Sequence, residues 1–324
     1  MPGAHLLAMT TAAPWTALTG LLLAACGAAP RTQQQPVPLP EIRHGHCVVS
    51  LPDGLLCVGG YPRGGGGDER SARQSLWLAD GAAQWLPRAP MRHGRTFFAT
   101  AVLGDAAYAI GDGIERYDFA VDRWSEVVAP GALPRTHFAA CAHQGCLYVL
   151  GGFPVERAGM RRVDVGSGEP AAARVVDVPP PPGFGPGDHF HLLVSLGDDL
   201  HCIGGLDGES FQPKAEHHVL RDGAWRTLPP PPVGIWTKFA AHAVHGGKLY
   251  VFGEFGGWCL DPASGTWSER RPLPEMVAMP ATVSRGEQLW VIGGMAVEKP
   301  RNLLLRYAIG DDAWLDVEPP GQDR

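Results

Sequence analysis

Charge is scarce in this chain. Of its 324 residues, 19% are Asp, Glu, Lys or Arg and 45% are hydrophobic, against about 25% charged in typical domains. That excludes a disordered polyelectrolyte and leaves enough apolar mass for a substantial core. The formal net charge is −6, so the basic face of a nucleic-acid binder is missing and no nucleic-acid partner is expected. No apolar run reaches the roughly 20 residues of a membrane-spanning helix. The glycines show no period of three, which excludes a collagen-like rod. A nucleophile elbow, a Walker loop, a zincin helix and a dinucleotide fingerprint are also missing, and no cofactor is expected. Present in excess are 43 glycines and 31 prolines. Both interrupt helices, so the expected fold is all-β and rich in turns.

Residues 1–25 contain no Lys, Arg, Asp or Glu, and an apolar run from Ala17 through Leu21, Leu22 and Leu23 to Ala25 stops at Cys26. The run is too short to span a bilayer and suits the apolar region of a secretory signal. Leu23-Ala24-Ala25-Cys26 resembles a bacterial lipobox. The resemblance implies a signal peptide over 1–25, lipidation of Cys26, and a membrane-anchored product on the periplasmic or cell-surface side. Gly27, rather than Asp, after the cysteine resembles an outer-membrane destination. The start departs from the pattern in lacking positive charge, and an ordinary cleaved signal is the alternative. Residues 26–42, with Gln33-Gln34-Gln35 and several prolines, read as a flexible tether. Export implies an oxidising compartment for the remaining cysteines, Cys47, Cys57, Cys141, Cys146, Cys202 and Cys259. Cys57 and Cys202 lie inside apolar strands and read as small core hydrophobes. Cys141 and Cys146 flank one hairpin and are the best-placed pair; the pairing stays open.

One pattern then repeats six times. The segments are Leu55–Gly60, Ala107–Asp112, Leu147–Gly152, Leu200–Gly205, Leu249–Glu254 and Leu289–Gly294. Each is a short apolar run closed by glycine, the signature of a buried strand entering a tight turn. The first glycines lie 40 to 53 residues apart, a propeller-blade period. Five units carry a later tryptophan (Trp85, Trp124, Trp225, Trp267 and Trp314), and a proline-rich junction follows each unit. Glycine pair, spaced aromatic, tryptophan and proline junction together resemble the kelch repeat over about residues 43–320. The departures are Asp112 and Glu254 at the second glycine and no tryptophan in unit three. The resemblance implies a six-bladed kelch-type β-propeller with four antiparallel strands per blade. Its blades would cover residues 43–90, 91–134, 135–182, 183–232, 233–275 and 276–320, with 321–324 a tail. Whether residues 36–42 help close the ring stays open.

In such a meander the D–A and B–C connections share one face, and residues at the start of strand A ring the channel mouth, where ligands sit. Counting back from strand B places Arg43, Arg95, Arg135, Asp188, Thr237 and Val277 at one register. His44, Thr96, Thr136, His189, Lys238 and Ala278 stand at the next. Three arginines in consecutive blades match an anionic ligand, with His44, Asp188, His189 and Lys238 continuing the polar arc. The alternative is that these arginines tie neighbouring blades together. The long loop Asp207–Lys214 adds a carboxylate, Glu209, on the same face.

That loop bears on an enzymatic reading. Bacterial N-acetylneuraminate mutarotases are exported six-bladed kelch propellers, and this chain is loosely similar to them. The similarity implies Glu209 as a general acid/base and the arginine arc as the holder of a sugar carboxylate. His44-Gly45-His46 and His189-Phe190-His191 could each aim two imidazoles to one side, but no third ligand completes a metal site, and none is expected. Galactose oxidase also contains kelch repeats, in a longer chain whose further domains have no counterpart here. The leading expectation is an exported, lipid-anchored recognition module whose D–A/B–C face binds a protein or glycan. The alternative is a mutarotase or epimerase acting on an acidic sugar such as a sialic acid.

Overall fold

A computed structural model describes residues 37–62, 69–166, 172–237, 240–296 and 302–315. The apolar runs form strands as their alternation and glycine ends dictate, and these assemble into six four-stranded antiparallel sheets. Blade one is β1 (Arg43–Leu51), β2 (Gly54–Pro62), β3 (Ser75–Ala79) and β4 (Leu86–Arg88), with a short helix α1 (Glu69–Ala72) between β2 and β3. Blade two is β5 (Ala99–Leu103), β6 (Ala106–Gly111), β7 (Gly113–Asp118) and β8 (Arg123–Val128). Blade three is β9 (Ala139–His143), β10 (Cys146–Leu150), β11 (Met160–Asp164) and β12 (Arg174–Val178). Blade four is β13 (Leu192–Leu196), β14 (Asp199–Ile203), β15 (His217–Arg221) and β16 (Ala224–Thr227). Blade five is β17 (Ala240–His245), β18 (Lys248–Gly253), β19 (Gly256–Asp261) and β20 (Thr266–Arg270). In blade six an accessory pair, β21 (Val277–Ala278) with β24 (Met295–Ala296), accompanies β22 (Ala281–Arg285), β23 (Gln288–Ile292), β25 (Leu304–Ala308) and β26 (Ala313–Leu315).

The apolar core is divided among the seams between blades. Leu56, Tyr108 and Leu147 belong to a cluster running through blades one to three, while Ile203 and Val251 join blades four and five. The first strands face one another around the centre, β1 beside β5, β5 beside β9 and β9 beside β13, and β22 returns to β1. The glycines ending the second strands, such as Gly59 and Gly204, are explained at these seams. A Cβ on Gly204 would lie 1.9 Å from the Ile235 carbonyl oxygen, and one on Gly59 would lie 2.7 Å from the Arg95 carbonyl oxygen. Neighbouring blades therefore approach backbone to backbone, and any side chain there would push them apart. The second glycine then donates across the seam, as in Gly60 N to Arg95 O at 2.9 Å and Gly294 N to Arg43 O at 2.8 Å.

That last bond also closes the ring. Blade one is complete in itself, so the ring closes without exchange of a strand. Instead, Arg285 of blade six donates to Ser50 Oγ (3.0 Å) and Leu51 O (2.6 Å) of blade one and pairs with Asp80. Residues 37–42 form no strand but seal the same junction. Leu39 is buried, Val37 O accepts from Trp85 Nε1 at 3.0 Å, and Leu39 O accepts from Asn302.

Three of the five repeat tryptophans sew their blade to the one before, while Trp267 Nε1 of blade five is buried with no hydrogen-bond partner among the described residues. Trp124 Nε1 donates to Ser75 Oγ (3.1 Å), Trp225 to Pro179 O (2.9 Å) and Trp314 to Arg271 O (3.1 Å). Blade three has Val175 at this register, opposite Val163, and so lacks the stitch. Its seam with blade two carries an ion pair, Arg157 Nη1 to Asp112 Oδ1 at 2.6 Å. Two departures from the repeat, Asp112 for glycine and the missing tryptophan, thus meet at one seam. All six described cysteines are free thiols. Cys141 opposes Tyr148, and Cys146 opposes His143, so the two stand diagonally across the hairpin. Burial pushes the Cys141 thiol up to about 12.

Candidate functional site

In five of the blades the first strand is entered through a described residue with left-handed backbone. Gly45 (φ 63°), Phe97 (53°), His137 (62°), Phe190 (55°) and Met279 (53°) share this register. For Phe, His and Met this conformation costs roughly 1–2 kcal/mol each. A belt of hydrogen bonds between blades holds it: Phe97 N to Gly45 O (2.9 Å), His137 N to Phe97 O (3.0 Å) and Phe190 N to His137 O (3.2 Å).

The result is an aromatic arc along the channel mouth from blade one to blade four. Tyr61 meets His44 edge-on, and His44 meets Phe97 with ring centroids 6.0 Å apart. Phe97 stacks on His137 at 5.4 Å, and Phe190 stands edge-on to His137 at 4.9 Å. Phe153 and Phe190 both contact His189, which meets Phe211 edge-on at 6.0 Å. These separations are those of favourable aromatic pairs. Phe211 is 62% exposed and has a φ of 56°. Its loop is held by Asp207 Oδ1, which accepts from Ser210 N (2.8 Å), Ser210 Oγ (2.8 Å) and Glu209 N (3.1 Å). An apolar ring is thereby fixed in solvent at low entropic cost to any complex it forms.

Beneath the mouth runs a cavity of about 260 Å³, lined by first-strand residues of all six blades, among them His46, Thr100, Ala140, His191, His242 and Thr282. Among the described residues lining it, none is Asp, Glu, Lys or Arg. Three of its imidazoles are neutral at ordinary pH: burial pushes His46 down to about 3 and His191 and His242 to about 4. No group of three or more His, Cys, Asp or Glu among the described residues has the arrangement of a metal site.

The residues expected to bind ligand take several different environments. Arg43 is 1% exposed, donates to Gly59 O (2.7 Å) and Ser71 O (3.2 Å), and pairs with Gln74 and Glu41. Arg95 is buried against Glu115, itself 0% exposed, and donates to Gly111 O at 3.1 Å. Glu115 also accepts the backbone N–H groups of Arg92 (2.7 Å) and His93 (3.1 Å). Arg135 is exposed, 3.7 Å from Asp112. Asp188 is buried with Lys214 (2.7 Å) and accepts from Gly185 N and Gly208 N, both at 2.9 Å. His44 and His189 do belong to the aromatic arc. Glu209 is exposed on its loop and does not line the cavity. The two buried arginines and Glu209 are therefore not gathered around one pocket. Lys238 and Cys26 lie outside the described residues.

No protein-family model matches the chain. Among curated relatives, mouse (Mus musculus) Kelch-like protein 35 is 27% identical over 203 residues, 60% of this chain and 33% of its own length. Kelch-like protein 36 of Bos taurus is 27% identical over 272 residues, covering 74% and 42% respectively. Beta-scruin of Limulus polyphemus is 27% identical over 217 residues, 59% and 22%. The chain thus spans less than half the length of these relatives. A solved structure described as "Structure of YjhT" superposes with a TM-score of 0.67 at 13% identity, covering 86% of this chain and 98% of that one. The chain is a kelch-type six-bladed β-propeller.

In this kelch propeller the left-handed register lies two residues after the arginine register. The arginine register supplies backbone carbonyls that pack on the glycines of the blade before, while the mouth is formed at the Gly45, Phe97, His137, Phe190 register. Three of those four residues carry rings and Gly45 carries none, so what all four share is a dihedral angle. The signal available was the pair of His-x-His segments, each of which puts one imidazole on the rim and one in the channel.

Proposed function

We propose that this kelch propeller is a protein-recognition module that presents its aromatic rim to a partner. The observation that carries the reading is Phe211, an exposed aromatic side chain on a hydrogen-bonded loop, continuous through His189 with the arc that reaches Tyr61. Exposed aromatic anchors backed by rigid structure are where binding energy concentrates in protein interfaces. The kelch-like relatives are consistent with this reading.

The test is selection of binders from a peptide display library, followed by hydrogen-exchange footprinting. Selected peptides should protect the segments around residues 44–61, 97, 137, 153, 190 and 205–214. Phe211→Ala should weaken them at least tenfold. Val121, 61% exposed in the β7–β8 turn on the opposite face, supplies the control, and Val121→Ala should change nothing. Footprints confined to that opposite face, or binding of glycans without any peptide, would sink the reading. As part of the same proposal, the chain is exported and held to a membrane by acylated Cys26. Mass spectrometry of the mature protein from its native host, showing no acyl mass on Cys26, would remove the anchor.

A further inference from the structure

We propose that the central channel, beneath the protein-binding rim and sharing Phe97 and Phe190 with it, is a binding site for a small, neutral, polyhydroxylated ligand. One register of the first strands contributes one residue from each blade to the channel wall: Val48, Thr100, Ala140, Leu193, His242 and Thr282. Three of the six are polar. Thr100 and His242 stand three blades apart in a six-bladed ring, on opposite sides of the channel, and Thr282 neighbours His242 in the next blade. The polar groups thus reach a ligand from both sides.

The wall chemistry selects the ligand. With no Asp, Glu, Lys or Arg among the described lining residues, a charged guest would lose its hydration and gain no permanent counter-charge, at a cost of several kcal/mol. A neutral guest escapes that cost. The neutral imidazole of His242 offers one donor and one acceptor, and the Thr100 hydroxyl offers both, whereas the Thr282 hydroxyl is buried in the wall. Groups that donate and accept at the same atom are matched by other hydroxyls. Above them, Phe97 and Phe190 supply apolar ring faces at the mouth, which suit the C–H face of a sugar or cyclitol ring. The cavity of about 260 Å³ lies just below the range of about 300–1,000 Å³ that holds drug-sized ligands. It therefore suits a single ring rather than a chain.

The test uses the full chain at pH 7.5. Glucose, galactose, N-acetylglucosamine and myo-inositol are titrated by calorimetry and thermal shift, beside the charged counterparts glucuronate and galacturonate. At least one neutral compound should bind saturably, ten times or more tighter than its charged counterpart. His242→Leu and Thr100→Val should each weaken it at least fivefold. Val121→Ala should leave it unchanged. Absence of saturable binding by every neutral compound, or equal binding of the charged ones, overturns the proposal. If His242→Leu fails to fold, Thr100→Val removes one hydroxyl without changing volume and decides the point. Wild-type crystals soaked with the best compound supply an independent answer, and water alone in the channel would contradict the proposal. Peptide footprints on the rim without sugar binding would sink this inference and leave the rim reading intact.

Discussion

Mild acid should unfold this protein, because its fold encloses imidazoles that cannot accept protons in place. His46, His191, His201 and His217 are each no more than 5% exposed. Burial pushes His46 down to about 3 and the other three to about 4, from an ordinary value of 6.5. His201 Nδ1 and His217 Nε2 also share one hydrogen bond at 2.9 Å, so a second proton there would set two cations in contact. The unfolded chain takes up these protons below pH 6.5 and the folded one does not, so stability is full above that value and falls as pH drops. At pH 5 each such group costs about 2 kcal/mol, and the four together cost about 7 kcal/mol relative to pH 7. That is comparable with the ~5–15 kcal/mol that holds a typical domain folded. Urea unfolding followed by tryptophan fluorescence at intervals from pH 7.5 to 5 measures the slope directly. Replacing His201 and His217 together with Phe and Leu should lower the proton uptake on unfolding at pH 5 by close to two protons. Stability constant to within about 1 kcal/mol between pH 7 and 5, or imidazole NMR signals titrating near 6.5, would refute the reasoning.

The buried arginines should behave as structural ties. Glu115→Ala leaves Arg95 an unpaired buried cation and should cost about 3–5 kcal/mol by chemical denaturation, whereas Arg135→Ala, at an exposed side chain, should stay within about 0.5 kcal/mol. Gly204→Ala drives a methyl group into the Ile235 carbonyl and should cost more than about 3 kcal/mol or abolish soluble expression; an unchanged Tm would contradict the backbone-contact account of the glycine pairs. At the seam of blades two and three, Asp112→Ala should destabilise more than Asp112→Gly. Both lose the Arg157 pair, but at a φ of 63° alanine retains a backbone strain of roughly 1–2 kcal/mol that glycine relieves. Equal losses in urea midpoint would show that the strain is unimportant.

The repeat made the fold legible. Six copies of one strand–glycine pattern reinforce one another, so Asp112, Glu254 and the missing tryptophan of unit three could not obscure the blade count. The ring closure was not legible, since Arg285 and Asn302 reach blade one and the segment before it from more than two hundred residues away. Arg43 and Arg95 stood at a correct structural register, but their side chains turn into the blades. A sequence shows that arginine is present without showing which carbonyls surround it. The aromatic arc was hidden for a different reason. Its members are selected by backbone conformation and by the belt between blades, and the letters at that register, Gly45, Phe97, His137 and Phe190, do not announce a shared dihedral angle. Asp112 looked like a weakened repeat and is instead the acidic half of a tie to Arg157.

The central claim is that binding runs through the rim at Phe211. Its most direct test is the Kd of a display-selected peptide for the wild type, Phe211→Ala and Val121→Ala, measured side by side. Truncating a buried aromatic anchor costs about 2 kcal/mol or more, so Phe211→Ala should weaken binding about 30-fold while Val121→Ala matches the wild type. Equal Kd values for all three proteins would place recognition elsewhere on the propeller and contradict the account.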